Sequence, residues 1–437
     1  MSNTIRGSLV ACIVVSALAG CRSPTRRVLE PATIGSAGAS PPAGASPASG
    51  TVVDHRVPFL TGLEVLARDR FAALAGRRVG VVTNPTGVDR SLRSLVDLLA
   101  AAPGVELAAI FGPEHGARGA AQAGEQVGDA RDPVTGAPVW SLYGETRRPS
   151  ATMLAGIDVL VFDVQDIGVR AYTYLSTLVE VLAAAAASGI EVWVLDRPVP
   201  IGADVFEGPM LEPAQRSFVG AHEVPLRHGL TAGEFARLVN VERRIGARLR
   251  VVAMEGYRRT DAYGVTGAPW VAPSPNIPTI ETALVYGGTV LVEGVATLSE
   301  GRGTTRPFHL IGAPWLDARE LVARLTKERL PGVLFRAAWF TPSASKYRDE
   351  HCAGVEIHVT DARAYRPVTV ALAILDHARR LHPREFRWRE DAFDRLAGTP
   401  SVRRDLDLGR SFREIVAGFA PALDAWAARR RACLLYD

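Results

Sequence analysis

Four short polar loops carry residue types used in acid–base chemistry and sugar recognition, and each follows an apolar run of strand length. They are Thr83-Asn84-Pro85-Thr86-Gly87, Gly112-Pro113-Glu114-His115-Gly116, Asp163-Val164-Gln165-Asp166-Ile167-Gly168 and Asp196-Arg197-Pro198. Glu114 is the sharpest candidate. Proline and flanking glycines fix a tight turn, so its carboxylate is presented as a general acid or base, against the plainer reading of a carboxylate bonding local amides. His115 is a candidate acid/base, metal ligand or hydrogen-bond donor, but it has no companion at ligand spacing and no metal is expected. Asp163, Gln165 and Asp166 suit sugar hydroxyls or an acetamido group; at least one aspartate is expected to face ligand while the other caps the next helix. Asn84 joins them at the same rim. Tyr172 and Tyr174 open that helix, and one can offer a face to a sugar ring, although aromatics there more often belong to the core. Asp196-Arg197 reads equally as a strand-end salt bridge or a ligand contact.

A second group lies downstream, at Ser274-Pro275-Asn276, Glu293-Gly294 and Ser299-Glu300-Gly301-Arg302-Gly303-Thr304-Thr305. A phosphate-cradling loop would end in Lys-Ser/Thr or run into a helix, and Arg306-Pro307-Phe308 supplies neither. An anion clamp fits better, with Arg302 gripping a carboxylate through two parallel hydrogen bonds; a tight turn with a surface ion pair is the bland alternative. The chain has no GxSxG, HExxH or CxxC, and no GxGxxG after the first strand. That argues against a serine hydrolase, a zinc peptidase and a dinucleotide enzyme, and no cofactor is expected.

These loops need a scaffold that gathers them. RRVGVVTNP (77–85), VELAAIFG (105–112), DVLVFDV (158–164) and EVWVLD (191–196) read as buried strands, with RLRVVAM (248–254) as a last one. Helices are expected over Ser91–Ala102 and Tyr172–Ser188, the latter stopped by Gly189, and another opens at the capping box Thr231-Ala232-Gly233-Glu234. Continuous apolar strands alternating with helices predict an α/β fold with a Rossmann-like, doubly wound parallel sheet. In such sheets ligands collect at the carboxyl ends of the strands, where all four loops lie. Beyond Ala283 a helix over Asp317–Arg329, a half-buried strand over Val355–Asp361 and a helix over Val368–Leu381 predict a second, smaller α+β domain. The expected division is 58–282 and 283–437.

The start of the chain reads differently. LVACIVVSAL (9–18) suits the apolar region of a secretory signal, too short to span a bilayer, and Leu18-Ala19-Gly20-Cys21 resembles a bacterial lipobox. Residues 1–20 are expected to leave, Cys21 to carry lipid, and 21–57, rich in Ser, Pro, Ala and Gly, to tether the body to a membrane of the cell envelope. Only Cys352 and Cys433 then remain as thiols, expected unpaired. The 437 residues, 47% hydrophobic and 22% charged, exclude a disordered protein. A net charge of +4 with no aromatic-studded basic run gives no reason to expect a nucleic-acid partner.

VVTNPTGV, IFGPEHGARG, AGEQVGD, PVWSLYG, VLVFDVQDIGVRAYTY, VLDRPVPIG, VEGVATLSEGRGTTRPF and CAGVEIHVTD stand in this order in the chain. In that order they resemble the exo-β-N-acetylmuramidase (NamZ) family, long catalogued as a domain of unknown function. The resemblance runs from Gly62 to the C-terminus. It implies a Rossmann-like domain, a smaller C-terminal domain with a cleft between them, and release of N-acetylmuramic acid from non-reducing ends of peptidoglycan fragments. Glu114 matches the family's proposed catalytic glutamate. The lactyl carboxylate of the sugar calls for a cation, for which Arg302, Arg197 and Arg306 are candidates. Glu114 is expected to protonate the leaving oxygen, with Glu300, Glu293, Asp166 or the substrate's own acetamido oxygen at the anomeric centre. The expected site therefore comprises Glu114, Glu300 and His115 for catalysis, and Asn84, Asp163, Gln165, Asp166, Tyr172, Asn276, Glu293 and Arg302 for substrate. Val199 stands where the family usually carries Asn, which weakens the case that this loop meets ligand. The competing reading is a non-catalytic envelope protein that binds muropeptides or glycan ends; intact Glu114 and Glu300 favour catalysis.

Overall fold

Runs rich in Val, Leu, Ile and Phe build the middle strands of the main sheet, seen in a computed structural model that describes residues 58–118, 130–144 and 146–437. The expected signal, Cys21 and the whole tether lie outside the described residues. Six strands come first: β1 (Arg78–Thr83), β2 (Glu106–Gly112), β3 (Ala130–Arg131), β4 (Pro138–Ser141), β5 (Val159–Asp163) and β6 (Glu191–Leu195). A separate antiparallel ribbon of β7 (Glu207–Met210) and β8 (Pro225–Arg227) follows, and β9 (Arg248–Val252) returns to the sheet. The order is β3-β4-β2-β1-β5-β6-β9, with every neighbour parallel except β3 against β4. Counting only the parallel strands in chain order, this is the 3-2-1-4-5-6 arrangement of a doubly wound sheet, and the order reverses between β1 and β5. The strand β4 is absent from the sequence reading because four half-buried residues are too few to show a period.

Helices cover the faces: α1 (Gly62–Arg68), α2 (Leu95–Ala100), α3 (Tyr174–Ser188) and α4 (Ala232–Glu242). The helix α2 starts later than expected because Asp89 Oδ1 accepts the Ser91 and Arg93 amides at 2.9 Å, holding that segment in a loop until Ser94 caps the helix. Gly189 ends α3 at φ 69°, and Thr231 with Glu234 forms the expected capping box on α4.

The second domain contains α5 (Ile280–Thr289), β10 (Leu310–Ala313), α6 (Ala318–Lys327), β11 (Val333–Phe340), β12 (Cys352–Val359) and α7 (Pro367–Leu381). Its three strands pair antiparallel in the order β10-β12-β11. Four further helices close the chain: α8 (Glu390–Ala397), α9 (Ser401–Asp407), α10 (Phe412–Ala417) and α11 (Ala420–Arg430). The expected boundary at 282/283 falls inside α5. Gly288 lets α5 approach the start of α7 so closely that a Cβ there would lie 1.9 Å from the Pro367 carbonyl oxygen. The chain end then folds back. Trp426 Nε1 donates to the His228 carbonyl at 3.1 Å, and the Tyr436 hydroxyl donates to Asp196 Oδ2 at 2.7 Å. One apolar cluster accordingly runs through both domains, from Leu178 on α3 to Val285 on α5 and Ile374 on α7. Cys352 and Cys433 are buried free thiols.

Candidate active site

The strand β2 delivers the chain to a turn in which the Gly116 amide donates to the Pro113 carbonyl at 2.9 Å. His115 occupies its third position at φ 74°, the left-handed conformation a type II turn demands there. At Gly112 a Cβ would lie 2.6 Å from the Ala117 amide nitrogen, so only glycine fits where the chain doubles back. The turn places Glu114 and His115 on a cavity of about 200 Å³ that Tyr143, Tyr172, Thr173, Asn276, Glu293 and Arg302 also line. Thr173 Oγ1 donates to Glu114 Oε2 at 2.8 Å. The Tyr143 phenol stands beside this carboxylate on the cavity wall; burial, then the Glu114 charge, pushes it up to about 12, so it stays protonated at neutral pH. Glu114 is thereby oriented by a donor from another loop.

An aromatic wall stands beside it. Tyr172 meets Tyr286 edge-on at 5.8 Å between centroids, Tyr286 meets Phe308 at 4.7 Å, and the Arg302 guanidinium lies 5.1 Å from the Phe308 ring. Arg302 bonds Glu293 at 2.5 Å and lies 3.4 Å from Glu300. Enclosure in this wall raises the pKa of Glu293; Arg302 opposes the rise and the Glu300 charge adds to it. Glu300 itself does not line the cavity, contrary to the catalytic role expected of it. Its buried carboxylate is held at 3.0 Å by the Lys346 ammonium, which also donates to the carbonyls of Val292 at 2.9 Å, Val295 at 2.7 Å and Leu298 at 2.9 Å. Lys346 thus ties the turn bearing Glu293 to the loop bearing Glu300 and Arg302.

The crevice between β1 and β5, where this topology would place a ligand, is filled. Asn84 Oδ1 accepts the Thr86 amide at 3.0 Å, Thr86 Oγ1 accepts the Gln165 amide at 2.8 Å, and Gln165 Nε2 donates to the carbonyls of Asp166 at 2.7 Å and Pro198 at 2.8 Å. Arg197 donates through Nη2 to Asp163 Oδ2 at 2.9 Å, with both side chains buried. The remaining void measures about 10 Å³, room for one water at most. Asn84, Asp163 and Gln165 are therefore bonded within the protein and do not line the Glu114 cavity, and Arg197 is engaged by Asp163. Asp166 also faces inward: its Oδ1 accepts the Gly168 amide at 2.7 Å and lies 3.9 Å from His228 Nε2. Burial pushes its carboxyl up to about 7. Asp196 pairs not with Arg197 but with α4, accepting the Gly233 amide at 2.9 Å and the Thr231 hydroxyl at 2.7 Å. Arg306 is engaged by Glu281 at 3.2 Å and Glu356 at 3.3 Å. Val199 is buried against Gly168, away from the cavity.

A larger cavity, about 440 Å³, opens beside Pro200–Val205, Thr260–Gly264 and the residues after β12, but no expected site residue lines it. Among the described residues no group of three or more His, Cys, Asp or Glu side chains is arranged to hold a metal. Chemistry therefore points to the Glu114 cavity. Residues 79–281 match the family "Exo-beta-N-acetylmuramidase NamZ, N-terminal", and residues 284–436 match its C-terminal counterpart. The chain belongs to the NamZ family. A peptidoglycan β-N-acetylmuramidase NamZ from Bacillus subtilis (strain 168) is 44% identical over 395 residues, covering 90% of this chain and 95% of the relative. Two crystal structures of DUF1343 family proteins from Bacteroides fragilis NCTC 9343 share the fold. One has a TM-score of 0.80 at 36% identity, covering 87% of this chain and all of the other. The second has a TM-score of 0.71 at 28% identity, covering 87% of this chain and 99% of the other.

In this NamZ-family cavity the expected residues Glu114, His115, Tyr172, Asn276, Glu293 and Arg302 come together. Tyr143, Thr173, Tyr286, Phe308 and Lys346 escaped the sequence reading. Tyr143 was visible only as part of PVWSLYG, because nothing local to that motif reveals a partner on the turn after β2.

Proposed function

We propose that this chain is a glycosidase that releases N-acetylmuramic acid from the non-reducing ends of peptidoglycan fragments, with Glu114 as its acid/base. The observation that carries the assignment of roles is Glu114 on a sterically fixed turn, its carboxylate on the cavity, oriented by the Thr173 hydroxyl and beside the Tyr143 phenol. Glycoside cleavage needs a proton for the leaving oxygen and a group that stabilises charge at the anomeric carbon. Glu114 supplies the proton. Glu293 or the substrate's own acetamido oxygen serves the anomeric carbon, because Glu300 and Asp166 do not line the cavity. The rings of Tyr172, Tyr286 and Phe308 give the sugar an apolar wall, and Asn276 offers an amide to its polar groups. Glu300 and Lys346 act through Glu293 and Arg302 as positioning residues. Cys21 attaches the enzyme to a membrane of the cell envelope, where its polymer substrate lies.

The test is release of chromophore from a β-glycoside of N-acetylmuramic acid. Wild type turns it over, and Glu114→Gln lowers kcat by about 10²–10⁴-fold. Wild-type turnover in Glu114→Gln would remove Glu114 from the chemistry. For the anchor, Cys21→Ala moves the protein from the membrane to the soluble fraction.

A further inference from the structure

N-acetylmuramic acid differs from N-acetylglucosamine by a lactyl ether that ends in a carboxylate. A muramidase that distinguishes them, as the proposed function requires, needs a cation near the cavity. Arg302 is the only Lys or Arg among the described residues lining the cavity, and Glu293 and Glu300 already neutralise it. Nearby cations are engaged in the same way. Arg197 is held by Asp163, Arg306 by Glu281 and Glu356, Arg118 by Asp132 and Asp97, and Lys346 by Glu300. Residues 119–129 and Glu145, outside the described part of the body, include no Lys or Arg.

Arg147 is different. It is exposed, its guanidinium carbon lies 4.6 Å from the centroid of the Phe218 ring, and it has no carboxylate partner among the described residues. Two observations tie it to the cavity. The Phe218 ring lies 6.4 Å from that of Tyr143, and its chain neighbour Val219 lines the cavity, as does Tyr143. The Arg147 charge also reaches the Tyr143 phenol, where it opposes the upward push from burial and Glu114. A guanidinium over an aromatic ring and without a carboxylate partner has N–H groups to offer, and these can take a carboxylate through two parallel hydrogen bonds. Resting on the muramidase reading above, we infer that Arg147, over the Phe218 ring at the rim of the Glu114 cavity, binds the lactyl carboxylate and sets the preference for N-acetylmuramic acid.

Calorimetric titration with N-acetylmuramic acid and with its lactyl carboxamide, which has the same shape without the charge, tests this directly. Arg147→Ala is expected to weaken binding of the acid at least tenfold and leave the carboxamide as wild type binds it, with Arg147→Lys recovering part of the loss. In turnover the Arg147→Ala defect falls on KM rather than kcat. Unchanged affinity for the acid, or an equal loss for acid and carboxamide, overturns the inference. Wild type that binds the acid without cleaving its glycoside would instead overturn the proposed function and leave the role of Arg147 to be decided by the titration.

Discussion

The Thr173 hydroxyl donates to Glu114 Oε2 at 2.8 Å, joining the turn after β2 to the segment that opens α3, 59 residues later. The bond fixes a carboxylate that its own turn would leave free to rotate about its side-chain torsions. Replacing Thr173 by Val keeps the shape and removes the donor. A hydrogen bond to a charged group contributes about 1.5–3 kcal/mol, so Thr173→Val should lower kcat by about 10- to 100-fold while the thermal midpoint falls by no more than a few degrees. Steady-state kinetics beside a melting curve separates the two.

Lys346 has a different signature. Its loss leaves buried Glu300 with only Arg302, which it shares with Glu293, and frees the carbonyls that Lys346 holds, so Lys346→Met should destabilise the fold by up to about 3–5 kcal/mol and also reduce activity. Adding Glu300→Gln removes the stranded charge. The double variant should be more stable in urea than Lys346→Met alone, and activity should stay low because the turn bearing Glu293 is still untied.

The pair of Asp163 and Arg197 fills the crevice that a doubly wound sheet usually keeps for ligand. Asp163→Asn should therefore cost stability, about 3–5 kcal/mol, with KM for a muramic acid glycoside unchanged in the folded fraction. A raised KM at full stability would return Asp163 to the ligand site.

Asp166 makes the fold sensitive to pH. Its carboxyl is raised to about 7 by burial, whereas an unfolded aspartate titrates near 3.9. Below about pH 4 both states are protonated and the full stability is present. As pH rises from about 4 to about 7 the unfolded chain releases the proton first, so stability falls, and above about 7 the loss levels off. Asp166→Asn should gain on wild type across that window, by about 2–4 kcal/mol at pH 8, read from urea unfolding at pH 5 and pH 8.

Much of this was legible from local order in the chain. Apolar runs mark β1, β2, β5 and β6, because a strand buried on both faces tolerates little else, whereas β9 at the sheet edge alternates Arg248 and Arg250 with apolar residues. Thr231 with Glu234 and Gly189 mark helix ends because caps are satisfied within four residues. The Pro113–Gly116 turn is of the same kind, and it explains why Glu114 stood out. By itself the sequence determined the α/β class, five strands of the main sheet and the residue that a tight turn must present.

Tertiary structure decided which polar residues line the cavity. Asn84, Asp163, Gln165 and Glu114 all follow strands at one rim and look alike in sequence. Their fates differ because Arg197, 34 residues from Asp163, closes the β1–β5 crevice, whereas Tyr143 and Thr173 leave Glu114 open to the cavity. Glu293 and Glu300 sort in the same way through Lys346, 46 residues beyond Glu300. A charged side chain turns toward water or toward a buried counter-ion according to what packs beside it, and that partner comes from a part of the chain that no local pattern connects to it.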